Sequence, residues 1–385
     1  MTQADLNWRN PKVREELKNV VRFWKEKGVK GFRFDVVNLI SKPDKYENDC
    51  EGDGRRFYTD GMHVHEYLKE LVKDTGIEDM ITVGEMSSTS LDNCIRYSNP
   101  EEKELSMCFN FHHLKVDYKN GNKWELMDTD RKELKRLFEE WQIGMQEHNG
   151  WNSLFWCNHD QPRIVSRMGN EKDYWKQSAK MLVAAVHLMR GTPYIYQGEE
   201  IGMPNAHFKD IADYRDVESL NYYEILLKEG KTKEEAIKTL QERSRDNSRT
   251  PMQWSDEENA GFSDVTPWIS VPDHYEEINV ENELKDQDSI YYFYKKLIEL
   301  RKEKEVIQEG TIEFFEKEDD DLLAYERNYK EEHLVVLNNL TEREKEVEIP
   351  QLWTSYHKLI GNYDTENIKE NKVVLRPYET LVLEK

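Results

Sequence analysis

Apolar residues recur every three or four positions across residues 11–27. Val13, Leu17, Val20, Val21 and Trp24 share one face of a helix that Pro11 opens and Gly28 stops. The period then changes to two. In the stretch GFRFDVV (31–37), Phe32, Phe34 and Val36 alternate with Arg33, Asp35 and Val37, which predicts a strand with the charged pair on one face. The alternation of periods continues down the chain. Helices are predicted over 63–73, 131–145 and 173–190. Strands are predicted over 80–85 (ending in Glu85), 105–111, 151–157 (ending at Asn158-His159-Asp160) and 192–199 (ending in a Gly-Glu turn). Strand–helix alternation of this kind predicts a parallel α/β domain. Polar clusters at successive strand ends fit a (β/α)8 barrel, where those ends face the active site. The stretch 203–290 is polar and is expected to be an extended loop region with short helices, closed by a helix over 289–303. Past residue 304 helical periodicity stops. Short apolar runs between polar turns predict a small all-β domain, a sandwich. The expected organisation is therefore a barrel portion over residues 1–303 and a β-sandwich domain over 304–385.

Charge narrows the partners. The 385 residues carry 77 acidic and 55 basic side chains, a net charge of −22. Such a chain repels nucleic acid and anionic membranes, and a phosphate-bearing ligand would need a local basic pocket. No run of about 18 apolar residues predicts a membrane-spanning helix, and the N-terminal MTQADLNWRN lacks the pattern of a signal peptide. Cys50, Cys94, Cys108 and Cys157 form no metal-binding or disulfide spacing, so free thiols and a cytoplasmic setting are expected.

The charged pair in GFRFDVV raises a chemical question. A carboxylate in an apolar strand is costly unless it has a partner. Arg33 is either a structural ion-pair partner for Asp35 or the group that keeps it ionised as a nucleophile. With Glu85 and Asp160, three carboxylates stand at predicted strand ends, and two across a glycosidic bond are the minimum for glycoside hydrolysis.

The segments GFRFDVV (31–37), TVGEMS (82–87), FWCNHDQPR (155–163) and GTPYIYQGEEIG (191–202), in this order, resemble signature regions of the α-amylase superfamily, glycoside hydrolase family 13. QADLNW (3–8) and RDNSRTPMQW (245–254) resemble its oligo-1,6-glucosidase branch, with Ala4 where that branch usually has proline. The resemblance implies an α-amylase-type (β/α)8 TIM barrel followed by a β-sandwich, and a retaining mechanism. It implies Asp35 as nucleophile, Glu85 as acid/base and Asp160 as stabiliser of the distorted sugar. His159, Arg249 and Arg33 follow as substrate-binding or orienting groups. Glu85 would need a raised pKa and Asp35 a low one. No cofactor or metal is implied, and the early loop in which some members hold calcium is not in this chain.

Within the branch, EGDGRRFYTDG (51–61), CIRYSNPEEKEL (94–105) and FNFHHLKVDYKNG (109–121) look most like the phosphotrehalase group, which cleaves trehalose 6-phosphate. Lys115, Arg55 and Arg56 are then candidate phosphate contacts, with Lys123 a further cation nearby; they could equally be surface cations paired with carboxylates. The open alternatives are an α-glucosidase acting on short 1,6-linked oligosaccharides, and an inactive fragment. By the same resemblance Asp35 falls on barrel strand four, so strands four to eight are expected here and strands one to three are missing. The chain alone is then expected to be inactive or prone to aggregate. A small sugar substrate and a monomeric state complete the expectation.

Overall fold

The structure is a computed structural model that describes residues 4–385. The chain forms two compact units. Among the described residues the first comprises 4–113, 137–153 and 190–192; the second comprises Leu114–Arg136, Leu154–Met189 and Pro193–Lys385.

In the first unit, helix α1 (Pro11–Glu26) starts where Asn10 accepts the Lys12 N–H at 3.0 Å, a local cap that fixes its entry. Val21 of α1 packs with Leu71 and Val72 of α2 (Val64–Thr75) and with Ile77. Phe32 and Phe34 of strand β1 (Gly31–Phe34) pack against the same cluster, the face their alternation predicts. Strands β2 (Ile81–Glu85) and β3 (Met107–Phe109) complete a parallel sheet ordered β1-β2-β3, with α3 (Leu91–Ser98) between the last two in sequence. A parallel bridge joins Cys108 to Asn152. Helix α4 (Arg131–Glu147) leads to β4 (Ser153–Leu154), which pairs with β5 (Thr192–Pro193). The five strands thus follow one another in chain order.

Four strands are shorter than their sequence pattern predicts, and the one expected over 105–111 keeps only Met107–Phe109. The strand expected over 31–37 stops at Phe34; Val36 turns into the left-handed region (φ 36°) and Val37–Leu39 is a 3-10 turn. That break replaces the alternation: Val37 is buried and Asp35 is exposed. The apolar run 151–157 forms a ladder only at β4. The run 192–199 forms one only at β5, because the Tyr196 N–H donates to the Glu199 carboxylate (2.7 Å) in place of a neighbouring strand.

In the second unit, α5 (Ile164–Met168) and α6 (Trp175–His187) precede a region more helical than its polarity suggests. There α7 (Val217–Lys228) and α8 (Lys233–Arg243) are full helices, α8 opening with a Thr232–Glu235 capping box. Trp124, Tyr214, Tyr223, Leu226, Ala236 and Leu240 form their core. After α9 (Val280–Lys285), α10 (Ile290–Glu303) and α11 (Glu305–Glu309) come two antiparallel sheets. These use β6 (Thr311–Phe315), β7 (Leu322–Tyr329), β8 (Glu332–Asn339), β9 (Lys345–Glu348), β10 (His357–Gly361), β11 (Ile368–Lys369), β12 (Lys372–Leu375) and β13 (Thr380–Glu384). The orders are β10-β13-β8-β7-β6 and β11-β12-β9. Their facing sides share one core, with Leu322/Ala324, Val335/Leu337, Val373/Leu375 and Leu381/Leu383 contributing at every second position, the signature of a sandwich. Among the described residues, no helix is long and apolar enough to cross a membrane.

Candidate active site

Asp35 and Glu85 sit at the C-terminal ends of neighbouring parallel strands, whose register pairs Phe34 with Gly84. Glu85 is the last residue of β2 and is nearly buried; Asp35 lies one residue past β1, its side chain 70% exposed. Arg33 joins them. Its Nη1 contacts Asp35 Oδ1 at 3.0 Å and its Nη2 pairs with Glu85 Oε2. The cost of burying a charged pair, which the sequence pattern raises, is avoided in part because Arg33 is itself substantially exposed. The second partner of Arg33 was not legible in the sequence, since it depends on the register between two strands about fifty residues apart.

The other basic candidates of this unit lie in the loop after β1. Arg55 pairs with Asp53 (2.9 Å), and Arg56 with Asp49 (2.8 Å) and Glu51. Asp49 also accepts the N–H groups of Glu51, Gly52 and Gly54, so the loop is organised around that carboxylate. Backbone hydrogen bonds and Arg56 hold the Asp49 carboxyl below its ordinary pKa.

The second unit carries a matching constellation. Asn158 Oδ1 accepts the Asp160 N–H (2.8 Å), which turns the chain at the end of the apolar run. Asp160 Oδ1 receives Arg249 Nη2 (2.7 Å) and lies 3.4 Å from Arg245 Nη1. Arg249 Nε donates to the His159 carbonyl (2.7 Å), and His159 Nε2 stands 3.4 Å from Asp160 Oδ2. The structure therefore brings three predicted residues, His159, Asp160 and Arg249, into one cluster. Sequence reasoning missed Arg245, which sits in the same RDNSRT segment as Arg249 and also pairs with Glu218 at 3.0 Å. Glu218 in turn holds Lys123 Nζ at 2.8 Å. Burial pushes the Lys123 amine below its ordinary pKa, with Glu218 opposing. Lys115 is exposed, and its carbonyl accepts the Tyr118 N–H (3.1 Å).

A buried carboxyl, Glu199, was also missed as a titratable group. Burial pushes it up to about 7, against the opposing pull of the Tyr196 N–H and the Arg163 guanidinium.

Residues 1–310 match the family described as alpha amylase, catalytic domain, and residues 322–382 match the alpha-amylase SusG C-terminal domain. The chain is 51% identical to a trehalose-6-phosphate hydrolase of Bacillus subtilis (strain 168) over 388 residues, covering 99% of this chain and 69% of that protein. It is also 51% identical to a trehalose-6-phosphate hydrolase of Escherichia coli (strain K12), over 98% of this chain and 69% of that protein. An oligo-1,6-glucosidase of Bacillus cereus is 44% identical over 99% of this chain and 70% of its own. The crystal structure of a Bacillus licheniformis trehalose-6-phosphate hydrolase superposes with a TM-score of 0.95 at 53% identity, covering 100% of this chain and 70% of that one. With an α-amylase-type barrel segment, a C-terminal β domain and relatives of this similarity, the chain belongs to the α-amylase family of glycoside hydrolases.

Proposed function

We propose that this chain carries the catalytic carboxylates of a retaining glycosidase that splits the α,α-1,1 bond of trehalose 6-phosphate into glucose and glucose 6-phosphate. The observation that carries the chemistry is the single guanidinium of Arg33 gripping both Asp35 and Glu85 at adjacent strand ends. A shared cation keeps the two carboxylates close, toward the roughly 5 Å that a double displacement needs rather than the wider gap of single displacement. In this reading Asp35 attacks the anomeric carbon while Glu85 gives its proton to the departing glycosidic oxygen. Glu85 then takes a proton from water, which attacks the glucosyl ester and frees Asp35. Asp160 steadies the oxocarbenium-like transition state, His159 binds sugar hydroxyls, Arg249 orients Asp160 and contacts substrate, and Arg33 orients Asp35.

The choice of substrate is supported by the higher identity to two trehalose-6-phosphate hydrolases than to the oligo-1,6-glucosidase. Lys115, Arg55 and Arg56 are the proposed phosphate contacts. Lys115 leads by its place just after the run 105–111; Arg55 and Arg56 would have to release their carboxylate partners to serve. We place β1–β5 at positions four to eight of an eight-stranded barrel, with strands one to three outside these 385 residues, and the domain boundary at 303/304. The reading includes no cofactor, no nucleic-acid or membrane partner, a monomer, and a reducing cytoplasm that suits four free cysteines.

The test is to give the protein expressed from its complete reading frame trehalose 6-phosphate, trehalose and isomaltose, and to quantify glucose and glucose 6-phosphate. Equal amounts of the two products from the phosphorylated sugar are expected. Cleavage of isomaltose alone would favour the oligo-1,6-glucosidase alternative, and no cleavage of any would end the reading. Lys115→Ala should lose the preference for phosphorylated over plain trehalose; an unchanged preference removes Lys115 from the phosphate site. The 385 residues by themselves should turn nothing over, and detectable turnover would overturn the five-of-eight-strand assignment.

A further inference from the structure

The loops after β1 and β2 are tied together by polar groups other than the charged trio of Arg33, Asp35 and Glu85. Asn38 is fully buried. Its side-chain amide exchanges two bonds with one backbone residue: Nδ2 donates to the Ser87 carbonyl (2.8 Å), and Oδ1 accepts the Ser87 N–H (3.0 Å). Asn38 lies three residues past Asp35, and Ser87 lies two past Glu85. The amide therefore spans the two loops just behind the two carboxylates.

Asp60 holds that amide in place. Its Oδ1 accepts Asn38 Nδ2 (3.1 Å), and its own N–H donates to the Asn38 carbonyl (3.0 Å). The rest of its capacity goes to the segment that runs on from Glu85: Thr89 Oγ1 (2.9 Å), Asn93 Nδ2 (2.9 Å) and Tyr97 Oη (2.8 Å). Asp60 thus collects four side-chain donors, three of which come from residues following Glu85. Between Asp35 and Asn38 stands Val36, a β-branched residue at φ 36°. Backbone of that kind persists only when its surroundings over-determine it, and it clusters at functional sites.

We propose that Asn38 and Asp60 are positioning residues for glycoside cleavage, which set the separation of Asp35 and Glu85 by locking the loop after β1 to the loop after β2. This rests on the reading of Asp35 and Glu85 as nucleophile and acid/base. A double displacement tolerates little error in that separation, since a misplacement near 1 Å costs on the order of 100-fold in rate. Breaking the tie should hurt most where Glu85 must protonate a poor leaving group, and least where the leaving group departs unaided.

The experiment compares Asn38→Ala, Asp60→Ala and Asp60→Asn with the unsubstituted protein, all expressed from the complete reading frame, on trehalose 6-phosphate and on 4-nitrophenyl α-glucoside. Asn38→Ala and Asp60→Ala are expected to lose roughly 100-fold in kcat on trehalose 6-phosphate. They should lose about ten times less on the aryl glucoside, with KM on either substrate little changed. Asp60→Asn, which keeps shape and part of the bonding, should recover part of the loss. Equal losses on both substrates would mean a merely structural role and overturn the proposal. If Asp60→Ala fails to fold, Tyr97→Phe, which removes one of the four donors, should show the same split on a smaller scale; no split there overturns it too. Hydrogen exchange gives a readout free of activity. The Ser87 amide should exchange about tenfold faster in Asn38→Ala, which removes its acceptor. Unchanged protection there overturns the tie even if the unsubstituted protein cleaves neither sugar, an outcome that would separately end the reading of the site.

Discussion

A glutamate shut inside a protein stays charged only if its surroundings replace the water it has lost. Glu199 opens a 3-10 turn, is 7% exposed, and receives the Tyr196 N–H on one oxygen. Burial outweighs that bond and lifts its pKa from the ordinary 4.5 to about 7. The folded chain therefore keeps a proton that the unfolded chain has released across this interval. Stability from this group is complete below about pH 4.5 and declines as pH rises through about 7. Glu199→Gln keeps an acceptor for Tyr196 and has no proton to lose. It is expected to flatten the decline, a difference on the order of 3 kcal/mol between the ends of the window. Urea midpoints of both proteins at pH 5 and pH 8 measure it, and parallel pH profiles would contradict it. The sequence shows Glu199 beside Gly198 in a motif, but only packing shows that the carboxyl is dry. Asp35, Glu85 and Asp160 were legible because each follows an apolar run; Arg245 was not, because its partners come from 85 residues upstream and from α7.

At the scale of elements, β2 shows how little room stands behind a strand end. A Cβ on Gly84 would come within 2.4 Å of Met86 Cε and 2.6 Å of Leu105 Cδ1, and within 3.3 Å of Val37 Cγ1. The glycine is favoured by this close approach of side-chain ends, not by backbone angles. Gly84→Ala should cost about 1–3 kcal/mol by overpacking. Because the displaced residue precedes Glu85, it should also lower kcat. A variant with unchanged denaturation midpoint and unchanged kcat would show that the neighbours yield freely. Helices α1, α2, α4 and α10 fall within a few residues of their sequence boundaries, since periodicity and caps such as Asn10 are local signals. The strand ends did not follow their apolar runs. A run such as 192–199 looks the same whether its N–H groups meet a neighbouring strand or, as at Tyr196, a side-chain carboxylate.

For the molecule as a whole, the second unit owes part of its cohesion to one buried cation. Arg327 of β7 is fully buried. It donates to the carbonyls of Thr311 (3.1 Å), Ile307 (3.2 Å), Gly310 (2.7 Å) and Leu188, so that β6, α11 and the end of α6 meet at one guanidinium. Arg327→Leu fills similar space but strips the donor from four carbonyls. It should destabilise the unit by about 3 kcal/mol or more. Urea unfolding followed by tryptophan fluorescence tests this, and a change below about 0.5 kcal/mol would refute it. A second buried cluster, Asp117 between Arg167 and Arg243, likewise joins segments far apart in sequence.

The sequence by itself determined the class of architecture, because strand–helix alternation and the later two-residue period are written in local apolar spacing. It also singled out the carboxylates that follow apolar runs, of which Asp35 and Glu85 stand at strand ends while Asp160 lies six residues beyond β4. Only the tertiary structure decided where each strand stops, that Arg33 serves Glu85 as well as Asp35, and that Asn38 and Asp60 bind the two loops together. Those features depend on register and on donors brought from distant segments. Local pattern carries no record of which buried polar group will meet which partner.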